Sequence, residues 1–182
     1  MKLFLAVVFS VSVALAVQGE KPQFKKAKIG AVDLKAPVTR AEAAAVFAKA
    51  RKSINASRVA QIPAASSIAT GNTPVTREEI IAEMSKIFEA SKKSVKFMPI
   101  PVPYNPAVFK VGAGAKSALS TLVSWGFVGS VSPLATSPKP GLTISQFGDA
   151  LGFFMARISD ITHMPSPRWS PYLMPNDRDP RG

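Results

Sequence analysis

The sequence predicts an all-α fold: helix-loop-helix repeats packed around one core, with extended proline-rich segments between them. A short pattern that occurs three times carries this prediction. It reads Pro37-Val38-Thr39-Arg40-Ala41-Glu42, then Pro74-Val75-Thr76-Arg77-Glu78-Glu79, then Gly141-Leu142-Thr143-Ile144-Ser145-Gln146. Each copy places Glu or Gln three residues after a threonine. In such a capping box the hydroxyl accepts from the third helical N–H, and the Glu or Gln side chain accepts from the threonine N–H. The second observation is the apolar spacing behind each copy: Ala43, Val46, Phe47 and Ala50; Ile80, Met84, Ile87 and Phe88; Phe147, Ala150, Leu151, Phe154, Met155 and Ile158. Offsets of three, four and seven put each set on one helix face. Repeated units of this kind fix an architecture before any other feature does.

Residues 1–19 read as a signal peptide, with Lys2 ahead of the apolar run from Leu3 to Val17 and Gly19 as the preferred cleavage position. The run is short of the roughly 20 residues that span a bilayer; an uncleaved anchor is the alternative. Residues 20–36 form a basic linker carrying Lys21, Lys25, Lys26, Lys28 and Lys35. The helical domain is expected over 37–160 and a proline-rich, partly disordered tail over 161–182. No stable membrane span is expected after cleavage.

The first helix should run from Thr39 to Ser53, with Lys49, Arg51 and Lys52 in its last turn, where cations suit the dipole. Residues 54–73 read mainly as loop, interrupted by Pro63. Asn55-Ala56-Ser57 within them is a glycosylation sequon. The second helix should span Thr76 to Lys92, with Glu78, Glu79 and Glu83 early, as caps and solvated charges. Alternate prolines from Pro99 to Pro103 exclude helix and impose an extended run lying over the core; a protein-binding proline-rich ligand is the sharper reading of it. A third helix is expected from Gly114 to Trp125, closed by Gly126. A loop follows from Phe127 to Leu142. The helix from Thr143 to Asp160 is the most apolar, and Phe147, Phe153, Phe154 and Met155 mark it as the centre of the core.

The net charge is +12, and cysteine is absent. A secreted chain without disulfides must be held by packing, and thiolate metal sites and a cysteine nucleophile are excluded. No acid falls between Glu89 and Asp149, whereas Lys92, Lys93, Lys96, Lys110, Lys116 and Lys139 do. That field favours anionic partners, or it serves as a solubility surface. Secretion argues against nucleic acid. The single histidine, His163, cannot build a multi-histidine metal site, and no carboxylate pair or phosphate loop stands out. The sequence therefore predicts no enzyme, no cofactor and no metal.

The Ala118-Leu119 to Leu122 helix, Gly126-Phe127-Val128, the loop with Pro133, and Leu142-Thr143 to Gln146-Phe147 together resemble an S-layer homology motif. Val38-Thr39-Arg40-Ala41-Glu42 is the closest match to that family's helix signature, and Val75-Thr76-Arg77 repeats it. One nearly whole repeat, about 113 to 158, and the second halves of two others are covered. The third copy departs from the family with Ile144 in place of Arg and Gln146 in place of Glu. The resemblance implies a three-pronged helical domain in which the signature arginine grips anionic wall polysaccharide. The expectation is a secreted, non-catalytic module of the cell envelope attaching to an anionic polysaccharide, with Arg40, Arg77, Glu42, Glu79 and Trp125 as ligand-binding residues. An arginine at the first helical position disfavours the helix itself, so a ligand explains it better than helix stability does; a bridge to Glu42 or Glu79 is the alternative that needs no ligand. The alternative is a structural or protein-interaction module of the envelope that kept the fold but not glycan binding. A secreted hydrolase is the remaining rival.

Overall fold

The computed structural model describes residues 33–96 and 98–163. The predicted signal peptide, nearly all of the basic linker, Phe97 and residues 164–182 of the proline-rich tail lie outside the described residues, while residues 161 and 162, expected in that tail, complete α5. Those described are all-α: α1 (Arg40–Ala56), α2 (Arg77–Ser91), α3 (Ala113–Ser124), the short α4 (Pro133–Thr136) and α5 (Ile144–Thr162). Single 3₁₀ turns follow α2 at Lys92–Ser94 and precede α3 at Pro106–Val108.

The three capping boxes form as the sequence predicts. Thr39, Thr76 and Thr143 are the N-caps of α1, α2 and α5, each closed by Glu42, Glu79 or Gln146. The three helix starts also join one another in a closed ring. Antiparallel bridges pair Pro37 with Thr143, Thr39 with Pro74, and Thr76 with Gly141. Val38 donates its N–H to the Leu142 carbonyl, and Val75 donates to Val38, both at 3.0 Å. The first helical N–H of each helix is then taken by the segment leading into the next: Arg40 to Thr73 at 2.9 Å, Arg77 to Pro140 at 2.7 Å, and Ile144 to Ala36 at 2.9 Å. A helix start leaves N–H donors without intrahelical partners; here side-chain caps and a neighbouring carbonyl satisfy them together.

The core is one apolar cluster drawn from every helix. Phe47 of α1 meets Phe147 of α5 edge-on, with ring centroids 5.6 Å apart. Phe127, just past α3, lies 4.6 Å from Phe88 and 5.2 Å from Phe154. Such pairs contribute beyond their buried area. Gly126 reaches φ +72° after α3, the left-handed cap for which glycine carries no side-chain penalty.

Three expectations are corrected. The central helix is α2, which packs against α1, α3 and α5; α5 is apolar along one broad face only. Phe153 is not core but 56% exposed. It sits one position from buried Phe154, about 100° around the helix, and so falls on the flank. The loop expected from Phe127 to Leu142 contains α4, opened by Pro133 at its first position, a site that proline suits.

Candidate functional site

The first turn of α2 gathers most of the predicted site residues. Glu79 closes the cap by accepting from the Thr76 N–H at 2.8 Å. Its carboxylate also receives Arg40 in a fork, from Nε at 2.9 Å and Nη2 at 3.1 Å. Arg40 Nη1 donates to Thr73 Oγ1 at 2.5 Å. The pair is part-exposed on both sides. Arg40 holds the Glu79 carboxyl below the usual carboxylate range and is itself raised by Glu79. The bridge reading of Arg40 is thus the arrangement present.

Arg77 occupies the same position on α2 and is placed differently. It is only 4% exposed. Nε donates to the Lys139 carbonyl at 2.8 Å, Nη1 to Leu134 at 3.0 Å, and Nη2 to Lys110. Burial lowers its pKa, against the pull of Glu78, but a guanidinium keeps its charge in proteins. Beside it, Glu78 Oε1 accepts from the Gly112 N–H at 2.7 Å, tying α2 to the start of α3. A Cβ at residue 112 would stand 2.8 Å from that oxygen, so glycine permits the approach.

The remaining candidates also have structural partners. Glu42 accepts from the Thr39 N–H at 2.9 Å. Trp125 packs edge-on against Phe88 at 4.8 Å, and its carbonyl accepts from Arg157 Nε at 3.1 Å. The structure therefore joins Arg40 to Glu79 and keeps Arg77, Glu42 and Trp125 on separate tasks.

Around the ring, the position corresponding to Glu79 is Gln146 in α5. Its Oε1 accepts from the Thr143 N–H at 3.1 Å; among the described residues no arginine pairs with it and its amide nitrogen donates to no acceptor. A groove of about 500 Å³ opens at this junction, lined by Lys35, Pro37, Pro74, residues 137–143 and Gln146. The Lys139 main chain is fixed by Arg77 and by its own N–H donating to Ser137 Oγ at 3.1 Å. The side chains of Lys35 and Lys139 are exposed and pair with no acid among the described residues. Sequence reasoning missed both lysines as site residues, since neither belongs to the repeated pattern. The visible signal was the double departure at Ile144 and Gln146.

Among the described residues no group of three His, Asp or Glu side chains could hold a metal, and no helix is long and apolar enough to cross a membrane. The chain matches no family model, no curated protein and no solved structure.

Proposed function

We propose that this protein is a non-catalytic module of the cell envelope that attaches to an anionic polysaccharide through the groove between Lys35 and Lys139. In this reading the three helix starts are degenerate copies of a helix-loop-helix repeat resembling the S-layer homology family, and the chain is secreted. The observation that carries it is the third junction of the ring. There Gln146 replaces a carboxylate, and among the described residues no arginine fills the seat and the two lysines that flank the open groove pair with no acid. Proline rings line the floor, and the Gln146 amide offers a neutral donor beside the charges. Carboxylate or phosphate groups on a polymer would meet the ammonium groups, while sugar rings lie against the prolines.

A co-sedimentation assay with purified cell-wall polymer tests this. Lys35→Glu with Lys139→Glu should abolish binding, while Arg40→Ala should leave it within about twofold, because Arg40 already serves Glu79. Full binding by the double charge reversal would refute the groove as the attachment site.

One observation favours the second reading, a structural or protein-interaction module without glycan binding. Both signature arginines are engaged by the protein's own acceptors. Wild-type protein that fails to sediment with any anionic wall polymer supports that reading instead.

A further inference from the structure

A second pocket lies on the other side of Gln146. It has a volume of about 320 Å³ and is walled mainly by Phe127, Val128, Leu134, Ala150 and Phe153. That is the lower end of the range for small-molecule sites, which are apolar with a few placed polar groups. Two polar residues interrupt the wall from opposite elements. Ser132, on the loop side ahead of α4, has a buried Oγ with no hydrogen-bond partner among the described residues. It is the N-cap residue of α4 but makes no capping bond. Buried hydroxyls without partners are uncommon and call for an explanation. Ser132 is among the lining residues, and with no bond holding χ1 its hydroxyl is free to move between staggered wells. Asp149, on the α5 side, is exposed and pairs with no cation among the described residues. It is the first acid after Glu89 in a chain of net charge +12.

We infer that this pocket binds a small aromatic amine bearing a hydroxyl at its far end. The apolar walls take the ring, and a volume of about 320 Å³ leaves room for its two polar substituents. The Asp149 carboxylate takes the ammonium, assisted by the exposed Phe153 ring, since aromatic faces attract organic cations. The Ser132 hydroxyl exchanges a hydrogen bond with the hydroxyl of the ligand. The site stands apart from the lysine groove, and its charge preference is the reverse. It does not rest on attachment to a polysaccharide.

The test uses tyramine and three near-isosteres with the full-length protein, followed by backbone NMR shifts. Phenethylamine lacks the hydroxyl, tyrosol lacks the charge, and 4-hydroxyphenylacetate reverses it. Tyramine should shift Val128, Leu134, Ala150 and Phe153 at millimolar concentration and bind about fivefold to tenfold more tightly than tyrosol. The anion should produce no shifts there. Asp149→Asn should erase the preference of tyramine over tyrosol. Ser132→Ala should erase its preference over phenethylamine. That variant removes a hydroxyl that bonds to nothing, so its Tm should hold or rise, which separates lost binding from lost folding. No shifts at the pocket with any probe, equal binding of all four, or a charge preference that survives Asp149→Asn would each overturn the inference.

Discussion

Arg51 and Glu83 meet inside the core, Nη2 to Oε1 at 2.7 Å, with side chains 6% and 0% exposed. Each also holds the loop between α1 and α2. Arg51 Nη1 donates to the Pro63 carbonyl at 3.1 Å. Glu83 Oε2 accepts from Ser67 Oγ at 2.5 Å and from its N–H at 3.3 Å. A buried ion pair offers little net stability over an apolar replacement, yet losing one partner strands a charge. Glu83→Ala should therefore cost about 3–5 kcal/mol, read as a lower urea midpoint. Arg51→Met combined with Glu83→Leu should recover most of that loss. A single variant with an unchanged midpoint would show that the pair is open to water.

The same carboxylate sets part of the acid sensitivity. Burial alone would raise the Glu83 pKa, but hydrogen bonds from Ser67, Ser66 and Arg51 outweigh it and hold the group below its usual range. Glu79 is lowered as well, chiefly by Arg40. A depressed folded pKa stabilises the protein at pH above the unfolded value, about 4.3 for Glu, and that stabilisation is lost as pH falls through the lower folded value. Tm should be nearly level from about pH 7 to pH 5 and fall below about pH 4. Glu83→Gln should start lower and fall less steeply across the acid range. A parallel curve would remove Glu83 from the acid transition.

The helices were legible because their signals are local. Thr39, Thr76 and Thr143 with their partners three residues on mark helix starts without reference to the rest of the chain, and apolar spacing marks the buried faces. What joins the helices was not legible. Arg51 reads as an ordinary last-turn cation and Glu83 as an early acid, because their meeting depends on how α1 lies against α2. Asn55 reads as a sequon, whereas its amide donates to the Ile62 carbonyl at 2.8 Å and accepts from the Ile62 N–H at 3.0 Å. Arg40 and Arg77 look equivalent in sequence and differ in burial because the segment before α3, α4 and the loop after it hold only the second. The lysine groove was hidden for the same reason, since it exists only once the ring closes.

Phe153 and Phe154 are adjacent and should behave oppositely. Phe154 is fully buried and packs on Phe127, whereas Phe153 is 56% exposed. Phe154→Ala should cost roughly 3–5 kcal/mol through lost transfer energy and the cavity left behind. Phe153→Ala should change stability by less than about 1 kcal/mol. Thermal melts of the two variants side by side measure the contrast. Equal losses would mean that the flank of α5 is covered.

The final prediction separates the two arginines by what each holds. Arg40 and Glu79 form a part-exposed pair, and water screens such pairs so that they add little to stability. Their fork geometry fixes the orientation of the pair more than it adds energy. Arg77 instead caps three carbonyls, on Lys110, Leu134 and Lys139, with almost no access to water. Removing it leaves buried acceptors unmatched, each at a cost of about 1–3 kcal/mol where water cannot enter. It also releases the loop that carries Lys139 and the segment that leads into α3. Arg77→Ala should thus lower the denaturant midpoint several times further than Arg40→Ala. Arg77→Lys should recover only part of the loss, because one ammonium on a flexible stem cannot reproduce the planar fork across three acceptors. Hydrogen exchange should quicken at Lys110, Leu134 and Lys139 in Arg77→Ala and stay unchanged there in Arg40→Ala. Equal midpoints for the two alanine variants would show that the Arg77 carbonyls find water as readily as the guanidinium, and that the second arginine is no more structural than the first.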